Sequence, residues 1–373
     1  MQLPIAPFAL ERFFARHEFT ARYLLCSSDM ESRTMREVLA LADDETRALW
    51  DDLTLGYTEP AGHPLLCAQI AAQVPGATAD DVLTFTGAEE AIFATLQAVV
   101  GAGDHAVVVW PAYQSLASVV EATGAAITRV VLRQETGWAL DLDEVRAAIQ
   151  PNTRLIVVNF PHNPTGATVD AATYCALSAL AEQSDAILFA DEVYRMLEHD
   201  PVDRLPPAAS LSSRAVSLGV MSKAYGLAGL RVGWIVVRDA TLRARVAAHK
   251  DYLSICGSAP SEILALIALR AEATLLTRNH QILADNLALL DTFFVRNSER
   301  INWVRPHAGS VGFPALQIGR GTTAIADELV ATTGVLIAPG PLFGATDDYF
   351  RLGFGRRNLP DALERFEDWL RKQ

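Results

Sequence analysis

An α/β protein with a mostly parallel, seven-stranded sheet between helices is what the residues of this chain lead one to expect. Seven short apolar runs, at residues 82–86, 106–110, 126–131, 155–159, 187–190, 215–220 and 232–237, alternate with helix-length segments. Runs of that kind read as strands buried on both faces, as in a parallel sheet covered by helices on each side. The last two runs are separated only by a short loop around Lys223, too few residues for a crossover helix, so this pair is expected to be antiparallel. Residues capable of chemistry follow directly after several runs, where open α/β sheets gather their ligands.

After residue 259 the pattern changes to one long helical stretch reaching about residue 296, then short strands at 311–318 and 335–337. A final amphipathic helix begins at Pro360, a residue suited to a first helical turn. Internal repeats and low-complexity linkers are not seen, which points to packed domains.

Composition narrows the function. The chain has 373 residues, half of them hydrophobic, and a formal net charge of −13. Its acidic residues are spread along the chain, which argues against nucleic acid as a partner. No apolar run approaches the roughly 20 residues needed to cross a bilayer, and no leader is read at the N-terminus, so no membrane partner and a cytoplasmic location are expected. The four cysteines, Cys26, Cys67, Cys175 and Cys256, lack metal-site spacing and are read as buried free thiols, with no metal site expected.

The segment from Gly219 to Trp234 is the most informative. It places Lys223 in a loop of small residues and Arg231 eight residues later, an imine-forming amine beside a phosphate anchor. Gly226 and Gly229 let the backbone bend tightly there. Gly87, Ala88 and Glu89 follow the first run and open a helix, whose N-terminal amides can receive a phosphate. Asp191 ends an apolar strand, where a carboxylate needs a positive partner.

These motifs, with Gly56-Tyr57, Asn163-Pro164-Thr165-Gly166, Asp191-Glu192-Val193-Tyr194 and Phe350-Arg351-Leu352-Gly353 in that order, resemble those of the aspartate aminotransferase superfamily. Those are class I/II aminotransferases of fold type I that use pyridoxal 5'-phosphate (PLP), and the resemblance covers nearly the whole chain. It implies a large PLP-binding domain at residues 45–270 and a small α+β domain formed by residues 1–44 and 271–373. It also implies an amino group passing between an L-amino acid and a 2-oxo acid.

By the same resemblance Lys223 is the Schiff-base lysine and later the general base, and Asp191 faces the pyridinium nitrogen. Asn163 and Tyr194 hydrogen-bond the ring's 3'-oxygen, and Tyr113 stacks on the ring. Gly87, Ala88, Glu89, Ser222 and Arg231 surround the phosphate, with Tyr57 reaching it from the neighbouring subunit of a homodimer. Val220 departs from the family, many of whose members carry serine three residues before the lysine. Glu89 is unusual beside a phosphate and must turn away from it or meet the substrate.

Arg351 matches the arginine that binds the substrate carboxylate, and Asn163 is also expected to be among the substrate-binding residues. Arg356 and Arg357 read as surface charges. Asp29, in the segment that passes over the active site in the family, either faces the pocket and favours a basic or polar side chain, or caps a helix at the surface. No arginine lies between residues 249 and 260, where dicarboxylate-specific relatives carry one, and His162 is a candidate for the mouth of the site. The alternative reading is a PLP-dependent lyase or cyclase, since residues 28–31 also look similar to those of capreomycidine synthase-like cyclases.

Overall fold

The seven runs become the seven strands of one sheet: β1 (Val82–Phe85), β2 (His105–Trp110), β3 (Ala126–Val131), β4 (Thr153–Asn159), β5 (Ile187–Asp191), β6 (Ala215–Val220) and β7 (Gly233–Val237). The computed structural model describes residues 5–373, so the first four residues of the expected small domain lie outside the described residues. Spatial order is β1-β7-β6-β5-β4-β2-β3. Only β7 runs against its neighbours, β1 and β6, and the remaining pairs are parallel. A tight loop between β6 and β7 forces that reversal, as its length predicts.

Every residue of β5 and β7 is buried, while β3 at one edge is largely open. Register then fixes the site, since Asn159 at the end of β4 stands opposite Asp191 at the end of β5. Strands β1, β2, β4, β5 and β6 all deliver their C-terminal ends to one rim of the sheet.

Six helices matter for the site: α1 (Ala9–His17), α2 (Ala88–Val99), α3 (Ser115–Ala122), α4 (Ala259–Arg270), α5 (Glu272–Arg296) and α6 (Leu359–Leu370). The expected single helix from 259 to 296 is broken at Ala271, with φ −98° and ψ 19°. No proline or glycine causes the break. Its flanks are tied to different places, Arg270 to Asp43 and Glu45, and Glu272 to Gln73. Pro360 does occupy the first turn of α6.

The N-terminal and C-terminal parts meet directly. Tyr23–Leu24 pairs parallel with Val335–Leu336, and Phe350–Gly353 is the centre of a three-stranded antiparallel sheet between Val311–Gly312 and Ala338–Pro339. One continuous apolar cluster runs through the large sheet and this C-terminal portion.

Candidate active site

Beyond the strand ends lies a cavity of about 550 Å³. Its lining includes Ala88, Glu89, Tyr113, Asn163, Asp191, Tyr194, Ser222, Lys223, Arg231, Arg351 and Asp29, all expected from the sequence. The sequence contains three lysines, Lys223, Lys250 and Lys372, and only Lys223 lines this cavity. Its Nζ donates to Ser28 Oγ at 2.8 Å and stands 5.7 Å from the centre of the Tyr194 ring.

Gly87 is fixed by two constraints at once. Its φ of 86° is left-handed, and a Cβ there would lie 2.6 Å from Arg231 Nη2. Arg231, itself left-handed at φ 53°, therefore rests its guanidinium against the N-terminus of α2. Gly233 serves the same approach from the other side, because its Cβ would lie 2.8 Å from Ala88 N. Helix amides and a guanidinium meet here, a ready anion cradle. Ser222 is buried nearby, and Val220 lines the cavity where many relatives carry serine.

Asp191 is 4% exposed and accepts the Val193 N–H at 3.2 Å. Among the described residues it has no ion pair. Burial pushes its carboxyl up to about 7, and Glu192 adds to this, while the Val193 N–H and Lys223 oppose it. Such an acid ionises readily only opposite a cation. Asn159 clasps the same corner: its Nδ2 donates to Asp191 O at 2.8 Å, and its Oδ1 accepts Asn163 N–H at 2.7 Å. The sequence reading missed Asn159, which looked like one more strand end.

Tyr194 is 1% exposed, and its hydroxyl has no partner among the described residues. Arg351 is also 1% exposed. It donates to Cys26 O from Nε and Nη2, at 3.2 and 2.9 Å, and to Asn163 Oδ1 from Nη1 at 3.2 Å. Every one of these acceptors is neutral, so among the described residues this buried positive charge faces the cavity without a carboxylate partner. The Phe343 and Phe14 rings lie 4.8 and 5.9 Å from its Cζ.

Other expectations need correction. His162 does not line the cavity: it is buried against Thr165 Oγ1 at 2.8 Å, and burial pushes it down to about 3. Asp29 does line the cavity, but both its oxygens accept from Arg356 Nη2 at 3.1 Å, so Arg356 is not a free surface charge. Cys26 and Cys67 are buried, whereas Cys175 is exposed and Cys256 half-buried. Tyr57 is 93% exposed and lies outside this cavity, on a separate surface hollow with Gly56 and Glu59.

Glu89 turns into the cavity. Among the described residues its Oε2 is buried without a partner, and burial pushes the carboxyl up to about 7, opposed by the Ser115 hydroxyl, with Glu11 and Asp191 adding to the rise. The reading also missed α1, which sets Glu11, Phe14 and Glu18 along the cavity. The signal was there, since positions 11, 14 and 18 recur on one helix face.

A lysine loop beside an anion cradle, a buried acid at the strand end and an unneutralised arginine define a PLP-dependent enzyme of fold type I. The chain belongs to the aminotransferase class I and II family, which it matches over residues 23–366. It is 36% identical to capreomycidine synthase of Streptomyces vinaceus over 354 residues, 94% of this chain and 90% of that protein. It is 31% identical to arginine–pyruvate transaminase of Pseudomonas aeruginosa over 305 residues, 77% of this chain and 74% of that protein. A PLP-dependent aminotransferase from Streptococcus suis superposes with a TM-score of 0.93 and 28% identity, covering 100% of this chain and 99% of that one. The protein is a PLP-dependent aminotransferase.

Proposed function

We propose that this cavity moves an amino group between an L-amino acid and a 2-oxo acid, with Lys223 as the covalent anchor of PLP and the proton carrier at the substrate Cα. The observation that carries this reading is that Lys223 and the buried, unneutralised Arg351 line one cavity. A carboxylate is what Arg351 lacks, and both substrates bring one.

Three features fit PLP itself. The cradle of Gly87, Ala88 and Arg231, with Ser222 beside it, suits the phosphate; a side chain at Gly87 would fill it. Asp191, buried without a cation, suits the pyridinium nitrogen. The unpartnered Tyr194 hydroxyl, with Asn163, suits the ring oxygen, and Tyr113, which lines the same cavity, suits stacking on the ring. When bound, the cofactor supplies an electron sink for the bond broken at Cα. The chain does the rest: Arg351 and Asn163 orient the carboxylate, Lys223 Nζ takes and returns the Cα proton, and Asp191 keeps a positive charge opposite it.

The assembly we infer is a homodimer in which Tyr57 reaches the partner's phosphate site, supported by its 93% exposure away from the Lys223 cavity. Mixing Lys223→Ala and Tyr57→Phe proteins checks this, because hybrid dimers would recover one intact site. The two-domain division at residues 45–270 against 1–44 and 271–373 is supported by the pairing of Tyr23–Leu24 with Val335–Leu336. A reducing, cytoplasmic setting suits four free cysteines.

The test of the main reading follows ¹⁵N from an amino acid into the amino acid made from a 2-oxo acid. Transfer of the label supports it, and product formed at the same rate without any oxo acid contradicts it. The second reading, a lyase or cyclase, is favoured by the likeness to capreomycidine synthase and by Glu89, a cavity acid near 7 to which transamination assigns no role.

A further inference from the structure

The cavity is more acidic than amino-group transfer requires. Five carboxylates line it, Glu11, Glu18, Asp29, Glu89 and Asp191, against three cations, Lys223, Arg231 and Arg351. Asp29 is neutralised by Arg356. Asp191 ends β5 at the sheet rim, and Glu89 lies in the first turn of α2. Glu11 and Glu18 remain, both on the face that α1 turns to the cavity, and neither has an ion pair among the described residues.

Their placement orders the ligand. Phe14 stands between them on the same helix face, and its ring is 5.9 Å from Arg351 Cζ. Glu18 is one turn further on, about 6 Å along the helix axis. It caps the C-terminal end of α1, where the helix dipole is negative and favours a cation. The cavity asks for ligands independently of these acids: Tyr194, 1% exposed, turns into it an unpartnered hydroxyl suited to the cofactor, and Arg351, also 1% exposed, has no carboxylate partner among the described residues.

We propose that the amino-acid substrate carries a cationic side chain, guanidinium or ammonium, on an aliphatic stem, received by Glu18 while Arg351 holds the α-carboxylate, with Glu11 two turns back on the same helix face adding negative charge to the cavity. This rests on the amino-acid reading of the site. The stem lies along Phe14, so that both ends of the substrate are paired with opposite charge and its apolar middle is covered. Burial, then Asp29 and Glu11, raises the Glu18 carboxyl against the opposing pull of Arg356 and Lys223, a net penalty that a bound cation removes.

The experiment compares kcat/KM of the PLP-loaded enzyme for L-arginine, L-lysine, L-citrulline, L-norleucine and L-glutamate with one fixed 2-oxo acid. Arginine or lysine should exceed their neutral counterparts, citrulline and norleucine, by roughly tenfold or more, the worth of a charge-assisted hydrogen bond. Glu18→Gln should pull that ratio toward one, chiefly through KM, and Glu18→Asp should restore part of it. Unchanged thermal stability and PLP absorbance would show the variant folded. Glu11→Gln, which should lower the same ratio by a smaller factor, decides the matter if Glu18→Gln does not fold. Preference for neutral or acidic amino acids, or a ratio unmoved by both variants, overturns the proposal and leaves amino-group transfer standing. Failure of every amino acid to donate overturns the reading beneath it.

Discussion

Lys223 Nζ donates a hydrogen bond to Ser28 Oγ at 2.8 Å, joining the loop after β6 to the N-terminal segment that passes over the cavity. The hydroxyl gives the amine a defined direction without adding charge beside it. Ser28→Ala should therefore lower kcat by about two- to tenfold, the worth of one neutral hydrogen bond, and leave PLP binding intact. Pre-steady-state rates with a single amino acid would check it, and an unaltered rate would mean the contact does not orient the amine.

Gly87 and Arg231 are fitted to each other, since a Cβ on Gly87 would come within 2.6 Å of the guanidinium. Gly87→Ala should weaken PLP affinity by roughly tenfold or more, because the left-handed backbone and the displaced arginine both act on the phosphate cradle. Fluorescence titration of PLP into the cofactor-free variant measures this. Affinity equal to that of the unaltered protein would place the phosphate elsewhere.

Arg351 should act on the substrate and not on the cofactor. Arg351→Ala removes the buried charge opposite the carboxylate, and kcat/KM should fall by roughly 100-fold while PLP affinity changes little. Arg351→Lys should recover only part, since a point charge cannot reproduce the fork. Equal losses of PLP affinity and of substrate affinity would contradict this division.

Three buried acids, Glu89, Asp191 and Glu192, are each pushed up to about 7, mainly by burial. Unfolded, they titrate at about 4, so between about pH 4 and 7 the folded chain keeps protons that the unfolded chain has released. The stability this confers is complete below about pH 4 and is lost as pH rises through about 7. Cofactor-free protein should lose a few °C of Tm between about pH 5 and 8. PLP-loaded protein should lose less, because a cation opposite Asp191 favours its ionised form. Calorimetry on both forms, with Asp191→Asn as the control that removes one of the three contributions and so lessens the slope of the cofactor-free profile, tests the sign.

The large sheet was legible because its strands are buried on both faces and read as plain apolar runs, as at Ile187–Asp191 and Gly233–Val237. Even the reversal of β7 could be read, from the shortness of the Lys223 loop. The helix break at Ala271 could not, because contacts of Arg270 and Glu272 with distant residues impose it. The same holds for the Asp29–Arg356 pair, 327 positions apart in sequence. His162 shows the opposite error: a polar residue beside a motif looked functional, yet burial and Thr165 absorb it. Glu11 and Glu18 carried a helical spacing, but only the fold shows that their face looks into the cavity.

Covalent attachment at Lys223 is the centre of the account, and borohydride reduction of the PLP-loaded protein followed by peptide mapping tests it most directly. With only Lys223, Lys250 and Lys372 in the chain, the outcome is easily read. The account predicts a stable pyridoxyl adduct on Lys223 and none on the other two, lost in Lys223→Ala. An adduct on Lys250 or Lys372, or no adduct in an enzyme that still transfers amino groups, would contradict it.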